Sequence, residues 1–388
     1  MEQFANAKIS VRQFTILIII GVIGDSILIM PTIVAASSKQ DAWLSMAIAA
    51  LLGLVMGAVF AAIANRLRRQ SPITALQNRI GKAAGGFVGL LLLFNFFMCA
   101  LTLMSEMSQF MTTQMMPETP VNAILLLFMA VIIIAYRYGV ESFARVSELL
   151  FPVFLFLFLF MVILLMPQVD LSNMKPILAK GLPPVMMSVM PAFVTGFAEM
   201  VVLLMLVPHV AGKAKLTKPI LWGYAIGGLI LFIVVDLCVL VLGPSLMETK
   251  YYPTFVLAQK ITIGQFLERL EVILMLIWII TVFYKTLLLF YALTAGTAQV
   301  LGLKESRMLT IPYGMILIVA TIVGTPNISE YNKLLIYYYP WFDTVFCIGV
   351  PLVVLAVLAA TGKGKASGQG GHAQNSQNGQ NDQNGTNP

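Results

Sequence analysis

Residues 13–36 read QFTILIIIGVIGDSILIMPTIVAA, an apolar run whose one charge, Asp25, stands near its middle. A helix needs about 20 mostly apolar residues to cross a hydrocarbon core about 30 Å thick. The run is long enough to span, yet Gly21-Val22-Ile23-Gly24-Asp25-Ser26 interrupts it. Two glycines three apart weaken a helix, and a following Asp and Ser can bond the backbone groups so freed. Unwound backbone at membrane depth is tolerated only within protein or beside a cavity. The functional reading is a broken helix offering amides and carbonyls to a ligand. The plainer reading is that glycines merely let membrane helices pack closely. A charge in hydrocarbon is costly and usually functional, so the adjacent Asp25 favours the break.

The same pattern returns at residues 191–199, PAFVTGFAE. Pro191 removes a backbone donor, Thr195 and Gly196 loosen the next turn, and Glu199 adds a second deep acid. A proline alone would only kink the helix. Phe197 and Tyr284 are the aromatics placed to line a pocket. Interrupted helices that each open a five-span half point to an inverted-repeat transporter fold with its site at the midplane.

The rest of the 388-residue chain supports that frame. Hydrophobic residues make up 59% and charged residues 11%, against about 25% charged in soluble domains. Apolar segments fall at about 13–36, 43–64, 86–107, 122–136 and 149–166, then 185–208, 220–242, 270–294, 309–324 and 334–360. They do not alternate as barrel strands would. The expectation is an all-α membrane protein of ten transmembrane helices, a 5+5 inverted repeat with helices 1 and 6 broken. Of 24 Lys and Arg, 16 fall on the side of the N-terminus and 7 on the other, which places both termini in the cytoplasm. Residues 1–362 form the ten-span domain. Residues 363–388, rich in Gly, Asn and Gln, cannot bury enough to order and are expected to be a disordered tail. Residues 254–268 alternate loosely enough for a helix lying on the membrane surface.

Lys285, deep in the eighth segment, is expected to pair with Asp25 or Glu199, since an unpaired ammonium there would lose its proton. A snorkelling lysine or a proton relay are the other roles open to it. Glu106 and Asp236 lie near outer span ends and can reach the interface. Cys99, Cys238 and Cys347 are dispersed, with no C-x-x-C, and read as small buried hydrophobes. Two histidines exclude a His-based metal site, and no cofactor is expected. The net charge of +7 sits in short loops rather than on a basic face with aromatics, which excludes nucleic acid. No nucleophile–base pair or phosphate loop suggests an enzyme.

Further stretches join these residues in a consistent order: Ile9-Ser10-Val11-Arg12-Gln13-Phe14, Gly24-Asp25-Ser26-Ile27-Leu28, Pro31, Asp41-Ala42-Trp43, Lys175-Pro176-Ile177-Leu178 with Gly181, Phe197-Ala198-Glu199, Pro208, and Arg269-Leu270-Glu271 before Trp278. Together they resemble the spore germination protein B family, the membrane B subunit of GerA-type germinant receptors, within the amino acid–polyamine–organocation (APC) transporter superfamily. The resemblance implies helices 1 and 6 unwound around a small germinant of the amino-acid class. It also implies association with receptor A and C subunits in the spore inner membrane, where the B subunit senses rather than accumulates its ligand. Transporters of the superfamily often carry Gly-x-Gly in helix 1, whereas here Gly24-Asp25-Ser26 replaces one glycine by serine. The site is thus expected from Gly21, Val22, Gly24, Asp25, Ser26, Thr195, Gly196, Phe197, Glu199 and Lys285. An autonomous proton-coupled amino-acid permease fits the same residues.

Overall fold

The computed structural model describes residues 8–67, 69–212, 215–261 and 271–362. The expected tail, and residues 262–268 of the segment expected to lie on the surface, fall outside these residues. The described residues form helices throughout: α1 Val11–Ile23, α2 Ser26–Ser38, α3 Ala42–Arg66, α4 Pro72–Ile80, α5 Lys82–Phe110, α6 Val121–Tyr138, α7 Val140–Leu165, α8 Pro183–Phe197, α9 Thr217–Leu237, α10 Gly243–Thr249, α11 Pro253–Gln259, α12 Glu271–Leu301, α13 Thr310–Gly324, α14 Ile328–Lys333, α15 Tyr339–Asp343 and α16 Val350–Gly362. A 3₁₀ segment, Ala198–His209, continues α8. π-helical turns at Leu334–Tyr338 and Thr344–Gly349 join α14, α15 and α16.

Nine helical stretches among the described residues are long and apolar enough to cross a membrane, against the ten expected. The difference lies at the first interruption. Alone, α1 is 13 residues, about 20 Å, too short to qualify. The next qualifying stretch, Ser26–Arg66, is 41 residues, about 60 Å and twice the hydrocarbon thickness. It turns at Lys39, whose φ of 50° no helix can accommodate. Half of an interrupted first span is therefore counted together with the second.

Local signals set the ends. Ser10 and Gln13 form a reciprocal capping box at the start of α1, and Ser71 caps α4 with Pro72 in its first turn. Apolar side chains such as Leu127, Phe156 and Val323 face outward, as lipid requires. The centre is different: 89% of the apolar window of Pro183–His209 is buried, against 22% for Val140–Gln168 and for Arg307–Gly324. The interrupted elements α1, α2, α8 and its 3₁₀ continuation thus form the axis. The helices α3, α9 and α12 pack around them, and α5 packs on α12. Instead of lying on a surface, α11 is tucked into the bundle with Thr254, Phe255, Leu257 and Ala258 buried.

Candidate functional site

The first span breaks where its sequence weakens it. Gly24 adopts φ 35°, ψ −126°, a conformation reserved in practice for glycine. The helical ladder restarts with the amide of Leu28 donating to the Asp25 carbonyl at 2.9 Å. The first amides of the new helix, at Ser26 and Ile27, have no acceptor within it. Side chains from afar satisfy the freed carbonyls: Thr281 Oγ1 donates to Gly24 O at 2.6 Å, and Thr254 Oγ1 to Ile27 O at 2.8 Å. The second contact answers Pro31, which has no amide to donate to the carbonyl four residues back.

The sixth span changes at a different place from the one its proline suggested. Pro191 lies within continuous α8, so its ring alone does not end the helix. The change comes at Phe197, with φ −125°, after which twelve residues run as 3₁₀. Such helices seldom exceed three or four residues, and a long one marks a hinge or strain. The two interruptions face each other: a β-carbon built on Gly196 would stand 2.8 Å from Met30 Cε and 3.8 Å from Ser26 Oγ.

Lys285 closes the space between them. Its Nζ lies 2.5 Å from Asp25 Oδ1 and 2.6 Å from Glu199 Oε2, so it pairs with both acids rather than with one. All three are buried, Lys285 at 1% exposure. Such a triad is favourable only because the pairing offsets the cost of removing the charges from water. Ser26 Oγ, next to Asp25 in the chain, and Thr195 Oγ1, next to Gly196, are buried without hydrogen-bond partners among the described residues, as is Tyr284 OH on α12. Orphaned polar atoms each cost about 1–3 kcal/mol, and two of these three, Ser26 Oγ and Thr195 Oγ1, belong to the facing interruptions.

Not every expected site residue points there. The Phe197 ring occupies the space between Gly53 and Gly228, where β-carbons would meet it, and stacks on Tyr224. Val22 packs against Gly227 and Gly21 against Met200. These three are packing residues of the bundle: Phe197 and Val22 point into space that glycines leave open, and Gly21 leaves space for Met200. Glu106 does not reach an interface: it is fully buried, accepts from Tyr331 OH at 3.3 Å, and its other oxygen has no partner among the described residues. Asp236 is half-buried, with one oxygen lacking a partner among the described residues. Asp343 was missed altogether. It is fully buried in α15 and adjoins Glu199. It stands nine residues into the expected tenth segment, so the depth count that singled out Asp25 also finds it.

Two cavities flank the polar centre. One of about 440 Å³ is lined by Thr74, His209, Tyr291, Gln299 and Ser306 at the N-terminal end of the bundle. The other, of about 420 Å³, is lined by Ile33, Ser37, Ser188, Pro191, Tyr337 and Trp341 at the opposite end. Contacts tie both ends. The Ile9 amide donates to His209 O at 2.8 Å and Arg12 pairs with Glu148 at 3.3 Å. Oppositely, Lys39 pairs with Glu248 at 2.9 Å and Ser188 Oγ donates to Val34 O at 2.9 Å.

Comparison with known proteins fits this geometry. A family model described as "Spore germination protein" matches residues 8–329. The chain is 29% identical over 372 residues to spore germination protein KB of Bacillus subtilis (strain 168), covering 94% of this chain and 98% of that protein. Among solved structures it is similar to MhsT in complex with L-phenylalanine, with a TM-score of 0.62 and 12% identity over 91% of this chain and 89% of that one. It is also similar to MHP1, a nucleobase-cation-symport-1 family transporter with bromovinylhydantoin bound, at a TM-score of 0.54 and 12% identity over 93% and 94%. The fold is the LeuT/APC-like transporter fold, in an integral membrane protein.

Proposed function

The chain belongs to the spore germination protein family, and on that premise we propose that it is the germinant-sensing subunit of a spore germination receptor. It binds a small nutrient of the amino-acid class between the interrupted first and sixth spans, and it acts by binding rather than by catalysis. The observation that carries this reading is the pair of facing interruptions, where Lys285 bridges Asp25 and Glu199 beside the unpartnered hydroxyls of Ser26 and Thr195. An ammonium flanked by two carboxylates, with hydroxyls and free first-turn amides close by, can answer both ends of a zwitterion. A ligand carboxylate pairs with Lys285 and the amides of Ser26 and Ile27, and a ligand amine with Asp25 or Glu199. Glycine and serine at positions 24 and 26 keep that approach narrow and polar.

Occupancy would reach the rest of the molecule through the 3₁₀ segment, which runs from Glu199 to the His209–Ile9 contact at the end of the bundle. A ligand shifts the two ends' closure only by its differential affinity for the states. The receptor A and C subunits would read that shift in the spore inner membrane, with both termini cytoplasmic. Thermal-shift measurement of the purified chain against amino acids, sugars and nucleosides tests the reading, since a bound ligand stabilises by mass action. At least one amino acid should raise the melting temperature, and the Ser26→Ala/Thr195→Val double variant should abolish the rise. Absence of any shift across the three classes would overturn it.

A second reading follows from the likeness to a nucleobase-cation-symport-1 family transporter and to a protein solved with L-phenylalanine. The same site would then carry an amino acid across the membrane with a proton taken by Asp25, Glu199 or Lys285. Uptake by the chain alone in proteoliposomes separates the two: transport without partners favours the permease, and binding without transport favours the sensor.

A further inference from the structure

Cys99 and Cys347 are 248 positions apart in the chain, and nothing in their local sequence links them. The fold brings them together. Donor atoms of Cys99, Asp343 and Cys347 all lie within 4.8 Å of one another, each in a fully buried residue. Asn95 completes the set: its Oδ1 is 3.4 Å from Cys347 Sγ and 3.8 Å from Cys99 Sγ, while Cys347 Sγ is 3.7 Å from Asp343 Oδ1. Two pairs at spacing i, i+4 produce this arrangement. Asn95 and Cys99 sit one turn apart on α5, and Asp343 and Cys347 one turn apart on the last span, so each helix offers one sulfur and one oxygen to the other.

We propose that Asn95, Cys99, Asp343 and Cys347 form a binding site for a thiophilic divalent cation of the Zn²⁺ class. Tetrahedral zinc holds sulfur at about 2.3 Å and carboxylate oxygen at about 2.0–2.2 Å, which separates the ligand atoms by about 3.5–3.8 Å. Three of the six edges of that tetrahedron stand at 3.4, 3.7 and 3.8 Å. Without metal the thiols donate weak hydrogen bonds to the two oxygens, and Asp343 also meets Glu199. Asn95 Nδ2 is buried with no hydrogen-bond partner among the described residues, and burying such a group unpaired is costly. Paired sulfur with oxygen selects zinc or cadmium over magnesium or calcium, which prefer oxygen alone. Each Zn²⁺ that enters displaces the two thiol protons, which leave to solvent, and takes Asp343 as the carboxylate. The site ties the third span to the last and adjoins Glu199, so its occupancy bears on the central triad without any group being shared.

The test uses the full chain purified in detergent, stripped with a chelator, reloaded with Zn²⁺ or Mg²⁺ and passed through gel filtration. The wild type should retain about one Zn²⁺ per chain and no Mg²⁺, and its melting temperature should rise with Zn²⁺ only. Cys99→Ser, Cys347→Ser and Asp343→Asn should each cut retention at least tenfold, whereas Cys238→Ser should retain Zn²⁺ unchanged. No retention by the wild type, equal retention by the Cys99→Ser/Cys347→Ser double variant, or a Cys99–Cys347 disulfide in place of metal would each overturn the proposal. Should the serine variants fail to fold, wild-type retention and the Zn²⁺-only shift decide it without them.

Discussion

The methylene stem of Lys285 occupies the space into which any side chain at Gly24 would have to project. The break in the first span and the seating of the buried ammonium are therefore one construction. Gly24 must lack a β-carbon both for its φ of 35° and for the lysine to pass beneath it towards Asp25 and Glu199.

Gly24→Ala is expected to displace Lys285 and impose about 1–3 kcal/mol of backbone strain. Melting of the purified variant should fall, and ligand-induced stabilisation should disappear. A variant that melts normally and keeps its ligand shift would show that the two features are independent.

Removing the ammonium leaves two carboxylates buried together. Lys285→Met is expected to cost about 3–5 kcal/mol, the penalty for breaking a buried pair from one side. Combining it with Asp25→Asn and Glu199→Gln should recover part of that loss, because no net charge then remains in the triad. Denaturation of the single and combined variants measures the coupling; strictly additive effects would contradict the triad.

Thr254 and Pro31 are linked through the Ile27 carbonyl. Thr254→Val should cost about 1–3 kcal/mol by leaving that buried acceptor empty. A Pro31→Ala background restores a backbone amide four residues after Ile27, so there the same substitution should cost much less. A double-mutant cycle that shows no interaction between the two sites would refute the link.

Phe197 separates packing from recognition. Phe197→Ala should cost about 3–5 kcal/mol through the cavity left between Gly53, Gly228 and Tyr224. Ligand affinity measured below the melting transition should change little. Ser26→Ala and Thr195→Val should do the reverse, with near-native melting and lost ligand response. Equal effects in both assays would place Phe197 in the site.

Much of this was legible in the chain because the bilayer reads sequence locally. A window of about 20 residues decides whether a segment spans, and a single acid such as Asp25 or Glu199 stands out against an apolar run. The depth count applied to Asp343 would have added it. What the count cannot supply is direction. Val22 and Phe197 lie at the interruptions by position, yet their side chains turn towards Gly227 and towards Gly53 and Gly228, since neighbouring helices decide which face is filled. Pro191 likewise suggested the place of the second interruption, but the helix passes through it and changes at Phe197 instead.

Hydropathy, deep charges and the two glycines of the first span thus determined a helical membrane protein with a break at Gly24, because each is a property of one short stretch in oil. The pairing of Lys285 with Asp25, 260 positions away, its second pairing with Glu199, and the meeting of Cys99 with Cys347 were decided only by tertiary structure. Those contacts depend on how helices rotate and tilt against one another, and that is set by packing summed over the whole bundle.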